Sequence, residues 1–445
     1  MLSLGLMPSA LSQVIHSQSP LRGWNSWDSY GKYPTEAAIL KNIESFKETL
    51  KPAGYEYVVI DAGWNIEKDK NNQITHLAMD NYGRYIPAKT AFPQGITFIA
   101  DRVHEAGLKF GIHVMRGIPR EAYRKNLKIA GTPYTARDIA DTSSICSWNS
   151  DNYGVAMNRP GAQEYYDSYI GLLIDWGVDF IKADDMTAHP AEIAAVVKAI
   201  EKKKKPVVLS LSPGEGSDSK NAAVYNKATM LRITRDIWDN EMSIHRAFDA
   251  WKKWSEALHG RTFLLDMDMI PFGHLCLHNP NPGYTSQDLK EEGKKNVRGL
   301  ERMSTWSKDQ QYTFITLLAL SASPLMMGGN LPTSDDFSME LITNPDMLLC
   351  NQNGITGKII YDRDGIEIWK TVSRNSPDCG WIGVFNRKGD ERKVISINHK
   401  ILGLKDATIV HDIWKDKTYG RLKKKKNIKV NANGVVFLKY GDNKQ

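Results

Sequence analysis

Charged residues gather where buried strands ought to end. The apolar run YEYVVID closes on Asp61, and KFGIHVM carries His113 just before Arg116. DFIKAD contains Lys182 and ends at Asp184, with Asp185 next. MLRITR carries Arg232 and Arg235 and runs into Asp236, while FLLDMD holds Asp266 and Asp268. A charge at the end of a buried parallel strand is costly and needs a reason. Trp24, Trp27, Trp64 and Trp238 accompany these groups. Carboxylates, cations and indoles together suit a sugar, whose hydroxyls take charge-assisted hydrogen bonds and whose C–H face stacks on an aromatic ring.

Glycosidic cleavage needs two carboxyl groups across the anomeric carbon, roughly 5 to 5.5 Å apart for retention and roughly 6.5 to 9.5 Å for inversion. Asp184 and Asp236 are the candidate pair. Strand alternation puts Lys182 on the same side as Asp184, where an ammonium keeps a nucleophilic carboxylate ionised. Asp236 lies beside Trp238, an apolar setting suited to a proton donor. Other residues admit plainer roles. Asp266 and Asp268 read as rim hydrogen-bonding groups before they read as metal ligands. His113 reads as a substrate contact or a satisfied core histidine, and Trp24 as a sugar contact or barrel packing. Cys146, Cys276, Cys350 and Cys379 form no C-x-x-C pair, so zinc and redox spacing are lacking. No metal or cofactor is expected.

The elements that must position these residues alternate from Leu21 to about Ser323, short apolar runs with amphipathic stretches such as Gly161 to Trp176. Eight strands are expected, beginning near Leu21, Tyr55, Lys109, Asp179, Pro206, Met230, Phe263 and Leu318. Eight βα units predict an α/β fold of the (β/α)₈ TIM-barrel type. An open doubly wound sheet would carry a Gly-rich turn after its first strand, and Trp24-Asn25-Ser26-Trp27 stands there instead. Long connections over about 65–93 and 117–160 belong over the C-terminal mouth of such a barrel. After about Asn353 short alternating runs predict a C-terminal antiparallel β-sandwich domain. The expected organisation is a lead-in over 1–18, a catalytic barrel over 19–352 and a sandwich over 353–445.

The chain has 445 residues, 41 % of them hydrophobic, and no apolar run long enough to span a bilayer. Its net charge of +7 owes much to Lys202–Lys205 and Lys423–Lys426, which read as solvated faces. Nucleic acid is not an expected partner, because no broad basic face interleaves with aromatics. Oligomeric state is not legible. The first 18 residues read as the remnant of an export signal or a disordered lead-in. The export reading implies a periplasmic or secreted protein, with a cytoplasmic one the alternative.

The ordered motifs GWNSW at Gly23, YEYVVIDAGW at Tyr55, LKFGIHVMRG at Leu108, WGVDFIKADDM at Trp176, LRITRDIWD at Leu231, LLDMDMIPFG at Leu264 and LSASPLMMGGNL at Leu320 resemble glycoside hydrolase family 27. This is the α-galactosidase and α-N-acetylgalactosaminidase, or melibiase, family. The resemblance spans roughly residues 21 to 440 and implies a metal-free retaining exo-hydrolase of terminal α-galactose-type residues on oligo- or polysaccharides. It assigns Asp184 as nucleophile and Asp236, four residues after Arg232, as acid/base. It implies hydroxyl contacts from Lys182, Arg232 and Asp61, with Trp27 lining the pocket. The sequence departs from the family pattern at several points. Asp61-Ala62 stands for two adjacent aspartates, His113 for a tyrosine, and Met186 for a cysteine whose implied disulfide partner is the site of Cys146. Ser212 is the nearest match to a glutamate that crowds the sugar's C2 substituent. These departures leave open an α-N-acetylgalactosaminide, an arabinopyranoside or a modified galactose. Arg116 suggests an anionic substituent or a loop salt bridge. Two other classes compete: a lyase or aldolase with Lys182 as Schiff base, and a carbohydrate-binding protein without catalysis.

Overall fold

The computed structural model describes residues 14–441, apart from 72, 258–259, 278–299, 407 and 423–424. Most of the expected lead-in and part of the second lysine run therefore lie outside the described residues. From Val14 onward the chain is bonded: Ile15 N–H donates to the Val207 carbonyl, and Thr229 Oγ1 to the Ile15 carbonyl.

Eight parallel strands form one sheet: β1 (Arg22–Asn25), β2 (Tyr57–Ile60), β3 (Lys109–Met115), β4 (Phe180–Asp184), β5 (Val208–Leu211), β6 (Met230–Arg232), β7 (Leu264–Asp266) and β8 (Leu325–Met327). Their order is β7-β6-β5-β4-β3-β2-β1-β8. The segment after β7 closes the ring, since Ile270 bridges Met327 in parallel and its N–H donates to the Met326 carbonyl at 2.8 Å. Helices α1 (Glu36–Thr49), α2 (Gly95–Glu105), α3 (Ala162–Asp175), α4 (Pro190–Lys203), α5 (Glu241–Ala257) and α6 (Lys308–Ser321) return the chain between strands. A single turn, Ala222–Tyr225, does so between β5 and β6. Among the described residues, no helix is long and apolar enough to cross a membrane.

Alternation along each strand decides what faces the barrel axis. Val58, Ile60, Phe110, Ile112, Ile181 and Leu209 pack outward into the large core shared with the helices. Tyr57, Val59, Phe180, Val208 and Met230 point inward and plug the lower interior. Trp24 belongs to the outward set, with Nε1 donating to the Gly329 carbonyl at 2.8 Å, so it neither fills the barrel interior nor meets a sugar there. The eighth strand begins later than the apolar run at Leu318, because α6 takes the first residues of that run through Ser321. Both long connections carry small β-structure: Ile66–Lys68 with Ile74–Leu77, and Ile118–Pro119, Asn152–Val155 and Ala140–Ile145 in one three-stranded sheet.

The C-terminal part is antiparallel: β9 (Lys358–Arg363), β10 (Ile366–Ser373), β11 (Ser376–Asn386), β12 (Lys393–Ile397), β13 (Ile409–Asp412), β14 (Lys417–Arg421), β15 (Lys426–Val430) and β16 (Val435–Tyr440). Six strands pair in the order β9-β10-β11-β16-β13-β14, and β12 pairs with β15.

Candidate active site

The inward alternation that plugs the lower barrel with Phe180 and Met230 brings Lys182, Asp184 and Arg232 to its mouth. Register aligns neighbours: His113 lies beside Lys182 on β3 and β4, and Lys182 beside Ser210 on β4 and β5. A cavity of about 400 Å³ opens there, within the range of small-molecule sites. Trp27, Asp61, His113, Lys182, Asp184, Arg232 and Asp236 all line it.

Asp184 sits in a web of donors. Its Oδ1 accepts Ser212 Oγ at 2.9 Å and the Asp185 N–H at 3.0 Å, and its Oδ2 lies 3.3 Å from His113 Nε2. Burial pushes its carboxyl upward. The His113 hydrogen bond, with the Lys182 and Arg232 cations, outweighs that and holds it well below the usual carboxylate range. Asp236 is tied by Arg232 Nη2, and Arg232 Nη1 lies 3.3 Å from both Ser212 Oγ and Asp268 Oδ1. The two candidate carboxylates thus share one cavity and are linked through Ser212 and Arg232.

Lys182 Nζ donates to Asp61 Oδ2 at 2.6 Å, and the same oxygen accepts Asn25 Nδ2 at 2.8 Å. Burial alone would lower the Lys182 pKa, but the Asp61 carboxylate raises it above the usual lysine value. The side chain is held as an ammonium, the opposite of the neutral amine that a Schiff base requires.

The chain turns sharply after Asp184. Asp185 has a left-handed φ of 58°, and its carboxylate is gripped by Arg116 Nε at 2.9 Å. Arg116 Nη1 also meets Glu192 at 2.6 Å and Ser144 Oγ at 3.1 Å. This buried guanidinium is a loop brace, not a receptor for a substrate anion. Asp268 accepts the Ile237 N–H and faces Arg232, while Asp266 accepts the Asp268 N–H. Burial raises the Asp268 carboxyl to about 6.

Ser212 departs from its expected role. It is fully buried and its hydroxyl is directed at Asp184, whereas Pro213 and Glu215 present that loop to the cavity. Cys146 is a free thiol. Asn25 contributes to the site without having been singled out, although it stands inside GWNSW between two tryptophans; its Oδ1 also accepts the Trp27 N–H at 2.8 Å. Trp148, on an irregular loop with no periodicity to mark it, lines the cavity as well.

Comparison with known proteins adds independent support. A family model described as "Alpha galactosidase A" (Melibiase_2) matches residues 37–155. The crystal structure of a family 27 β-L-arabinopyranosidase from Geobacillus stearothermophilus is 36 % identical, covers 96 % of this chain and 97 % of its own, and superposes with a TM-score of 0.85. That of a putative α-N-acetylgalactosaminidase from Bacillus halodurans is 34 % identical, covers 95 % and 97 %, and gives 0.81. α-Galactosidase A of Cellvibrio japonicus is 26 % identical over 469 residues, covering 99 % of this chain and 98 % of that protein. The chain spans only 56 % of the longer α-galactosidase D of Emericella nidulans, to which it is 22 % identical. With its barrel, its sugar-suited rim and full-length relatives above 30 % identity, the chain belongs to glycoside hydrolase family 27 and is a hydrolase of carbohydrate glycosidic bonds.

Proposed function

We propose that this chain is a retaining exo-hydrolase whose preferred glycosyl group is β-L-arabinopyranosyl, with α-D-galactosides as slower substrates. β-L-Arabinopyranose is the ring of α-D-galactopyranose without its C6 hydroxymethyl. The observation that carries the reading is Ala62: its methyl, not a second carboxylate, stands beside Asp61 in the cavity wall. A wall that lacks one carboxylate partner for a C6 hydroxyl costs a galactoside a hydrogen bond and costs an arabinopyranoside nothing. The activity of the Geobacillus relative supports the same choice. An N-acetylgalactosaminide has less support, since Pro213 and Glu215 stand on the fifth-strand loop where a roomier wall would be needed.

In this mechanism Asp184 attacks the anomeric carbon as a carboxylate while Asp236 gives its proton to the departing oxygen. The C–O bond to the leaving group breaks as the ester bond to Asp184 forms. Water then attacks the glycosyl-enzyme, loses a proton to Asp236 and releases Asp184. The Lys182–Asp61 pair and Arg232 orient ring hydroxyls. Nitrophenyl β-L-arabinopyranoside should be cleaved with kcat/KM at least about tenfold above the α-galactoside, the value of one hydrogen bond. NMR of the first-formed sugar should show the original anomer. An equal or better galactoside defeats the sugar assignment, and the opposite anomer defeats the double displacement.

A further inference from the structure

The cavity changes character along its depth. Asp61, His113, Lys182 and Arg232 at the closed end are no more than 7 % exposed. Toward the open end the Asp236 side chain is 29 % exposed, and the Glu215–Arg235 ion pair has side chains 42 % and 62 % exposed. Trp148 stands in this outer zone at 52 % exposure, the one exposed tryptophan among the described residues. A single exposed apolar side chain means little on an ordinary surface. Here Trp148 lines the same cavity as the two carboxylates that bracket the bond to be cut.

The turn that presents it is held from within. The Cys146 sulfur receives the backbone N–H groups of Trp148 and Asn149. Asn149 Nδ2 donates to Asp151 Oδ2 at 2.9 Å, and the Asp151 N–H returns to Asn149 Oδ1 at 2.8 Å. The Arg120 N–H binds the Asp151 carbonyl at 2.9 Å. The turn that carries the indole is therefore pre-positioned, and its neighbours in the chain are amide and carboxylate groups, the combination that takes a pyranose by its C–H face and its hydroxyl edge.

We propose that Trp148 is the stacking platform of an aglycone subsite, so that the leaving group of the natural substrate is itself a pyranosyl residue. The proposal rests on the exo-glycosidase reading above, because that reading seats the cleaved sugar at the closed end and sends the leaving group outward past Asp236. Trp148 makes no contact with the anomeric carbon; it sets which leaving groups bind well.

The test compares kcat/KM on 3-O-β-L-arabinopyranosyl-L-arabinose with kcat/KM on β-L-arabinopyranosyl fluoride, whose leaving group has no ring to stack. Trp148→Ala should lower the ratio of the two by about tenfold or more, while Trp148→Tyr, which keeps a flat ring, should stay within about threefold of wild type. Trp148→Leu, which retains apolar bulk without a flat face, carries the same expectation as the alanine variant and replaces it if that variant does not fold. A ratio unchanged by loss of the ring overturns the platform, as does a wild-type enzyme that cleaves the fluoride but not the disaccharide. A wild-type enzyme inert on both the fluoride and the nitrophenyl glycosides defeats the glycosidase reading instead.

Discussion

Asp184 is surrounded by groups that stabilise its charge, and His113 contributes the leading one. A nucleophilic carboxylate works only when ionised, so its pKa sets the acid limb of kcat/KM. Removing the donor in His113→Ala should raise that pKa and move the acid limb to higher pH; an unmoved limb would dissociate His113 from the nucleophile. Ala62 offers a gain-of-function counterpart. Ala62→Asp supplies the missing acceptor, and a hydrogen bond to a charged group contributes about 1.5–3 kcal/mol. The galactoside-to-arabinopyranoside ratio of kcat/KM should therefore rise about tenfold or more, read by initial rates on the two nitrophenyl sugars. At this scale much was legible from sequence. Lys182, Asp184 and Arg232 are charges on strands otherwise built of apolar residues, and period-two alternation names the side they share. The direction of the Ser212 hydroxyl was not legible, because a serine on a loop has no periodicity and its partner Asp184 is 28 residues away.

The βα unit around β4 depends on one guanidinium. Arg116, at the end of β3, joins Asp185 just after β4 to Glu192 on α4, and Glu192 in turn accepts Tyr166 Oη from α3 and the Val155 N–H at 3.2 Å. Arg116→Ala leaves the buried Glu192 and the half-buried Asp185 without their shared counter-charge, a change worth about 3–5 kcal/mol. Chemical denaturation should show a loss of that size, and a loss below about 1 kcal/mol would mean that the acids are neutralised in another way. Element boundaries were harder to read than element types. LALSASPLM is apolar throughout, so nothing in it marks where α6 yields to β8; the break comes at Ala322, which takes a left-handed φ of 53°. In the C-terminal sheets, β14 (KTYGR) and β15 (KNIKV) are polar strands in a run of lysines, and neither composition nor alternation separates them from loop.

The barrel and the C-terminal sheets are joined by aromatic packing. Trp251 on α5 stacks on Trp369 of β10 with centroids 3.7 Å apart, Phe248 meets Phe385 at 4.9 Å, and Tyr312 on α6 meets Trp414 at 5.0 Å. Trp369, Trp381, Phe385 and Phe437 fall in the same continuous core as the helices of the barrel. An apolar interface of this kind, unlike a polar hinge between loosely tethered domains, couples the stability of its two sides. Sequence reading separates the two parts by the change of pattern near Asn353, but the aromatics that unite them come from both sides of that change. Calorimetry should accordingly give a single transition whose van't Hoff and calorimetric enthalpies agree. Trp251→Ala, which empties a large site at the join, should destabilise by about 3–5 kcal/mol and move that one transition as a whole. Two resolved transitions, only one of them displaced by the substitution, would show that the sheets fold independently of the barrel that carries the site.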